Sequence, residues 1–265
     1  MTPFDPWLER WSLTADGAPI RTGYADLLPV LHEGARAMLK IGRTPEERRG
    51  AALLDWYGGL GAVRVYDADG PALLMERPLA ARSLVDLSRS GGDDEATRTL
   101  CATVNALHAR RERALPPGLV PLDVWFRSLE SADHPSLARA RAVARELLAD
   151  ARSPIPLHGD IHHGNVLDGA GRGWLAIDPK GLYGERAFDY ANIFCNPDRE
   201  TATAPGRLAR RMDIVSEAAH LDRGRLLKWV VAYAGLSAAW CVEDGEDPGL
   251  ALAIVQIASL FIDSW

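Results

Sequence analysis

The sequence predicts an α+β fold in two lobes: a small antiparallel β-sheet carrying one main helix, followed by a larger and mostly helical region. Three observations predict it. The first third contains short apolar runs separated by turn signals, with one helix-compatible stretch among them. Beyond residue 92 the apolar spacing turns helical. Between the two, Pro78 follows Glu76-Arg77 and interrupts the last strand-like run, which divides the 265 residues into lobes 1–77 and 78–265.

Each element has a local reason. Residues 27–41, LLPVLHEGARAMLKI, hold two apolar runs around His32-Glu33-Gly34, the pattern of an antiparallel hairpin. Pro45 followed by Glu46 and Glu47 starts a helix, because proline suits the first turn and acids suit the helix N-terminus. AALLDWY continues that helix, and Gly58, Gly59 and Gly61 end it. AVRVYDADG and PALLMERPL read as strands about the turn Asp69-Gly70-Pro71, and the stretch before residue 24 is compatible with another. Asp93 or Asp94 is positioned to cap a helix containing Leu100, Cys101, Val104 and Leu107. Helices are expected near 122–131, 135–150, 203–220, 223–243 and 247–262. Residues 154–178 interrupt them with two short strands around Gly169-Ala170-Gly171.

Hydrophobic residues make up 47% of the chain and charged residues 25%, enough apolar surface for a packed core. The formal charge of −6 argues against nucleic acid and anionic membranes as partners, and leaves room for a cationic substrate. Lys40, Lys180 and Lys228 are the three lysines among 30 basic residues, so each is worth inspecting. Cys101, Cys195 and Cys241 are odd in number and widely spaced, as expected for thiols in a reducing compartment. The N-terminus lacks the basic start and apolar run of a signal peptide, and no run reads as a membrane span. The expectation is a soluble cytoplasmic protein, monomeric or weakly homodimeric.

The chemistry-bearing segment is His158-Gly159-Asp160-Ile161-His162-His163-Gly164-Asn165, followed by a glycine-rich turn and WLAID ending at Asp178. Asp160, Asn165 and Asp178 supply a carboxylate for an attacking hydroxyl and two oxygen donors for magnesium. Phosphoryl transfer from a nucleotide needs that set. A hairpin between them would return Asp178 beside Asn165. A competing reading takes His158, Asp160, His162 and His163 as a zinc cluster of a metal hydrolase. Adjacent His162 and His163 do not easily point at one ion, and that reading leaves Asn165 unused.

HGDIHHGNVL and LAIDPKG together resemble the catalytic loop and metal-binding segment of the aminoglycoside phosphotransferases, nearest the streptomycin and hydroxyurea phosphotransferase branch. The resemblance implies a bilobal protein-kinase-like fold and an ATP- and Mg2+-dependent O-phosphotransferase. Asp160 would be the catalytic carboxylate, Asn165 and Asp178 the magnesium ligands, and His158 a support of the loop. Asp178-Pro179-Lys180 stands where protein kinases carry Asp-Phe-Gly. Lys40 would reach the nucleotide phosphates from its strand, held by a helix carboxylate, Glu47 or its neighbour Glu46. Thr22, in the single-glycine turn at residues 21–25, would help cover the phosphates, and Met75, Glu76 and Arg77 would form the interlobe linker against the adenine.

On the acceptor side, Glu185 is open to two roles, securing Lys180 or facing the substrate. Asp189 reads as a structural acid beneath the loop. Trp240, Glu243 and Asp244 are candidates for a pocket around a cationic, hydroxyl-bearing molecule, although a core tryptophan and a solvated acidic turn would look the same. His108 reads as a helix-end residue. The branch resemblance favours the 6-hydroxyl of streptomycin as the acceptor. Other acceptors on the same fold are an amino sugar or another small metabolite, and the remaining alternative is a nucleotide-binding protein without transfer activity.

Overall fold

The computed structural model describes residues 2–263. The first lobe contains α1 (Asp5–Arg10), β1 (Thr14–Ala15), β2 (Ile20–Arg21), β3 (Ala25–His32), β4 (Ala35–Gly42), α2 (Pro45–Tyr57), β5 (Val65–Asp69) and β6 (Ala72–Glu76). Its antiparallel sheet runs β1-β3-β4-β6-β5, with β2 also paired to β3. Glu33 and Gly34 both adopt positive φ between β3 and β4, as a two-residue hairpin turn that follows the strand twist requires. Thr44 caps α2 by accepting a hydrogen bond from Glu47 N–H, and Gly58 closes the helix in the left-handed conformation.

Strand alternation gives the sheet two different faces. Leu28, Val30, Ala37, Leu39, Ile41 and Leu74 pack outward against Phe4 and Leu13, with Trp7 and Trp11 covering them. Sequence reading missed this α1 cover, because six residues after a proline-rich start carry too little periodicity. The opposite face presents Leu27, Lys40 and Leu73 side by side on one rung of the sheet and turns toward the second lobe.

The second lobe is built from α3 (Leu84–Leu87), α4 (Asp93–Leu107), β7 (Val120–Pro121), α5 (Leu122–Trp125), α6 (Arg127–Ser131), α7 (Ala138–Ala149), β8 (Pro154–Leu157), β9 (Val166–Asp168), β10 (Trp174–Ala176), β11 (Leu182–Glu185), α8 (Phe188–Ala191), α9 (Arg199–Ala202), α10 (Arg207–Ala219), α11 (Arg223–Asp244) and α12 (Gly249–Asp263). Hairpin β9–β10 and the small sheet β7-β11-β8 frame the polar loop at residues 158–165. Helix α11 has the length and hydropathy of a bilayer crossing, contrary to the expectation that no run reads as a span. It spends that hydropathy inside the core, where Trp229 and Leu236 are fully buried.

Asp93 departs from its expected capping role. It is 2% exposed and forms a two-pronged ion pair with the fully buried Arg211, at 2.6 and 3.0 Å, while Arg207 and Ser88 supply further donors. Burial favours the neutral acid, yet these hydrogen bonds and charges hold Asp93 well below the usual carboxylate range. Arg211 also donates to the carbonyls of Ile193 and Asn196, tying α4 and α10 to the segment after α8.

Removing one member of such a pair leaves the other charge buried. Asp93→Ala is expected to cost about 3–5 kcal/mol in urea unfolding at pH 7. Because the folded state depresses the Asp93 pKa, this stabilisation is complete above about pH 4 and drains away as pH falls. The gap between wild type and variant should therefore narrow on acidification. A difference under about 1 kcal/mol at pH 7 would contradict this account.

Candidate active site

Lys40 sits near the end of β4, on the face that lines a cavity of about 250 Å³ between the lobes, together with Thr22, Met75, Asn165 and Asp178. Its ammonium lies 2.5 Å from Glu47 Oε2 and 2.5 Å from Asp178 Oδ1. Of the two candidate helix acids, Glu47 is therefore the one that meets Lys40. Glu46 turns toward Lys180, with Oε1 3.4 Å from Nζ.

Two glycines make this approach possible. A Cβ on Gly42 would fall 2.4 Å from the Glu47 Cβ, so α2 lies too close to the end of β4 for any side chain there. A Cβ on Gly50 would fall 2.2 Å from the carbonyl oxygen of Pro179. Helix α2 thus rests directly on the segment carrying Asp178, and Arg49 Nε adds a 3.0 Å hydrogen bond to the Lys180 carbonyl. Asp178 has φ +60°, a left-handed conformation that aspartate tolerates better than most residues. Burial would raise its pKa, but Lys40 and Lys180 together hold it below the ordinary value.

The loop from residue 158 is fixed from beneath by a buried acid. Asp189 accepts the backbone N–H groups of His158 (2.9 Å) and Gly159 (2.7 Å). Its Oδ2 also lies 2.8 Å from His108 Nε2. His108 caps the C-terminus of α4, the helix end that its sequence position indicates, and its side chain is a buried partner of the loop acid. His158 Nε2 bonds the Ile177 carbonyl at 2.9 Å, while Nδ1 accepts from Asp160 N–H at 3.2 Å. Burial lowers the His158 pKa, which keeps the ring neutral and able to make both bonds.

Asp160 emerges from this support with its carboxylate gripped by two amides. Asn192 Nδ2 donates to Oδ1 at 2.9 Å and Asn165 Nδ2 to Oδ2 at 3.1 Å. Asn192 was not singled out from the sequence; its side chain reaches Asp160 only because α8 folds back under the loop. Asn196 donates to Asn192 Oδ1 at 2.8 Å, which fixes the amide so that its Nδ2 faces Asp160. Ile177 N–H bonds the Asn165 carbonyl at 2.9 Å, and that link across the β9–β10 hairpin sets Asp178 beside Asn165.

Asp160, Lys180, Glu46, Trp125, Trp240 and Asp244 line a second cavity of about 490 Å³. Trp125 and Trp240 meet edge to face at 5.5 Å. Tyr24 borders both cavities.

Several expected site residues lie elsewhere. Glu185 is 5% exposed and bonded to Arg225 (2.6 Å) and Trp229 (3.0 Å), so it neither secures Lys180 nor faces a substrate. Glu243 is exposed and lies outside the cavity that Asp244 lines, one helix position away. The Glu76 carboxylate serves Arg172 and the Arg64 amide, and its own N–H is spent on the Arg64 carbonyl. Arg77 is turned to Asp16, which leaves Met75 as the linker residue at the cavity. Thr22 does line the cavity beside Lys40, and its hydroxyl bonds the amides of Tyr24 and Ala25 and the Ala25 carbonyl, which shapes the turn. His163 is buried and pushed down to about 3 by burial and by Arg211, whereas His162 lies beside Asp160. Among the described residues no three His, Cys, Asp or Glu groups converge on a common metal position.

A family model described as aminoglycoside/hydroxyurea antibiotic resistance kinase matches residues 10–245. The chain belongs to this family. It is an ATP-dependent phosphotransferase on the aminoglycoside phosphotransferase fold. A streptomycin 3''-kinase of Klebsiella pneumoniae is 50% identical over 254 residues, covering 93% of this chain and 95% of that one. A streptomycin 6-kinase of Streptomyces griseus is 36% identical over 273 residues, covering 95% and 85%. Among solved structures, a thermostable mutant of aminoglycoside phosphotransferase APH(4)-Ia in a ternary complex with AMP-PNP and hygromycin B superposes with a TM-score of 0.71. It is 15% identical and covers 97% of this resistance-kinase family member and 98% of its own chain, a likeness of fold.

Gly50→Ala tests the docking of α2. Helix propensity alone would favour alanine by about 1 kcal/mol, but the clash with the Pro179 carbonyl should reverse the sign and lower stability by about 1–3 kcal/mol. Thermal unfolding reads the outcome. A raised Tm would contradict the close approach.

Proposed function

We propose that the protein transfers the γ-phosphoryl group of ATP to a hydroxyl of streptomycin, with magnesium, and that the 3''-hydroxyl is the acceptor. The observation that carries this reading is the 50% identity to a streptomycin 3''-kinase across nearly the whole of both chains. The acidic and aromatic cavity beside Asp160 supports it, since Glu46, Asp244, Trp125 and Trp240 suit a cationic sugar. The 6-hydroxyl, expected from the sequence, is the second reading, and the 36% identical 6-kinase favours it.

The residues present fit a magnesium ion. Asn165 spends its Nδ2 on Asp160, which leaves the carbonyl Oδ1 as its remaining acceptor, and Asp178 offers a carboxylate in the same cavity. Both are hard oxygen donors of the kind magnesium prefers. Local charge points the same way: Glu46, Glu47, Asp160 and Asp178 outnumber Lys40, Arg49 and Lys180, so a triphosphate needs added positive charge there. When bound, magnesium supplies that charge to the phosphate oxygens.

The chain's own groups divide the remaining work. Lys40, oriented by Glu47, holds the α- and β-phosphates. Asp160, with its rotamer set by Asn165 and Asn192, aligns the acceptor hydroxyl and receives its proton. Asp189 and His158 keep the loop still while this happens. Most of the acceleration then comes from alignment and charge stabilisation.

Incubation of the protein with ATP, magnesium and streptomycin should yield a monophosphate, whose position two-dimensional NMR assigns. Phosphate at 3'' supports the proposal, phosphate at 6 selects the second reading, and no turnover removes streptomycin as the acceptor. Asp160→Asn should keep ADP affinity within about threefold while kcat falls by about 10²–10⁴-fold; near-normal turnover in the folded variant would remove Asp160 from its role. Asn192→Ala deletes one charge-assisted hydrogen bond and should lower kcat by about 10–100-fold, with little change in the KM for ATP. An unchanged kcat would show that the amide does not position Asp160.

A further inference from the structure

Lys180 stands at the junction of the two cavities. Its backbone is clamped: N–H donates to the His158 carbonyl at 2.7 Å, and the carbonyl accepts from Arg49 Nε at 3.0 Å. The ammonium is held differently. It lies 3.4 Å from Asp178 Oδ2, 3.4 Å from Glu46 Oε1 and 3.9 Å from Asp160 Oδ2, close to three carboxylates and tightly paired with none. Lys40, by contrast, is locked at 2.5 Å to both of its acids. The two lysines flank one carboxylate, Lys40 on Asp178 Oδ1 from the nucleotide cavity and Lys180 on Oδ2 from the acceptor cavity.

We propose that Lys180 is a further catalytic residue, whose ammonium binds the γ-phosphoryl group as it crosses from ATP to the acceptor. The inference rests on the phosphotransferase reading of the site, and it does not depend on which hydroxyl is the acceptor. In the transfer, the bond between the γ-phosphorus and the β–γ bridging oxygen breaks, and its electron pair stays on ADP. The acceptor oxygen forms the new bond to phosphorus as its proton passes to Asp160. Lys180 remains protonated throughout.

The surrounding carboxylates favour a cation at this position. A phosphoryl group moving toward Asp160 enters a region bounded by Glu46, Asp160 and Asp178, all of which repel it. Lys40 and the magnesium held by Asn165 and Asp178 would act on the nucleotide side, and Lys180 is the cationic side chain that lines the acceptor cavity. Three N–H donors on a flexible stem, anchored by a rigid backbone and only loosely paired, allow the ammonium to follow the equatorial oxygens over the short path of transfer. A lysine with a purely structural role would instead form a short pair with Asp178 or Glu46.

Two measurements on Lys180→Gln and Lys180→Arg test the proposal. Steady-state transfer to streptomycin should show kcat falling by about 10²–10³-fold in Lys180→Gln, with ADP affinity by calorimetry within about threefold of wild type. Lys180→Arg, which keeps the charge, should retain at least about a tenth of wild-type kcat. Independently of any acceptor, aluminium fluoride with magnesium should tighten ADP binding to the wild type, and Lys180→Gln should lose that gain. A kcat within about threefold of wild type, a fall in ADP affinity matching the fall in kcat, or equal fluoride tightening in both proteins would overturn the proposal. If the wild type does not phosphorylate streptomycin, the proposed acceptor fails, and the fluoride comparison still decides the role of Lys180.

Discussion

The Asp178 carboxylate, held between two ammonium groups, is the interaction on which the rest of the site depends. Lys40 arrives from the sheet of the first lobe, Lys180 from the segment following Asp178 in the second, and Glu47 braces Lys40 from α2. Every close approach nearby serves that convergence. Gly42 admits Glu47, Gly50 admits the Pro179 carbonyl, and the left-handed Asp178 turns its side chain into the gap between the lobes. A side chain at either glycine would move α2, and Lys40 would lose one of its two acids.

A second layer of the design is uncharged or internally balanced. The Asp160 carboxylate is oriented by neutral amide donors from Asn165 and Asn192 and has no tight ion pair. The charge demanded by the loop amides lies one layer deeper, at Asp189, where His108 shares it. Deeper still, the Asp93–Arg211 pair fixes the carbonyls of Ile193 and Asn196, and Asn196 orients Asn192. A continuous line of hydrogen bonds therefore runs from a buried structural ion pair to the Asp160 carboxylate.

Local chemistry was legible in the sequence, and long-range partnership was not. The β3–β4 hairpin and helix α2 follow from turn residues, a proline and a glycine stop that act within a few positions of one another. The spacing from His158 to Asn165 likewise encodes a loop whose groups are near neighbours in the chain. Asn192 and His108 could not be found this way: Asn192 meets Asp160 and His108 meets Asp189 from elements 30 or more positions distant, and neither carries a local pattern that distinguishes it from a core or surface residue. Glu185 shows the opposite error. It follows Asp178 closely in sequence, but strand β11 carries it into the core toward Arg225, on an element whose direction no motif announces. Glu243 and Asp244 are adjacent acids, and only helix phase decides which of them meets the cavity.

The central claim is spatial: Asn165 and Asp178 share one metal on the phosphates, with Lys40 and Asp160 on either side. A crystal structure with AMP-PNP and manganese in place of magnesium tests it most directly, because anomalous scattering locates the metal without reference to any assumed mechanism. The account predicts a peak bonded to Asn165 Oδ1, an Asp178 oxygen and the phosphates, with Lys40 on the α- and β-phosphates. A peak seated instead on His162 and Asp160, or a nucleotide bound with its phosphates away from Lys40, would contradict it.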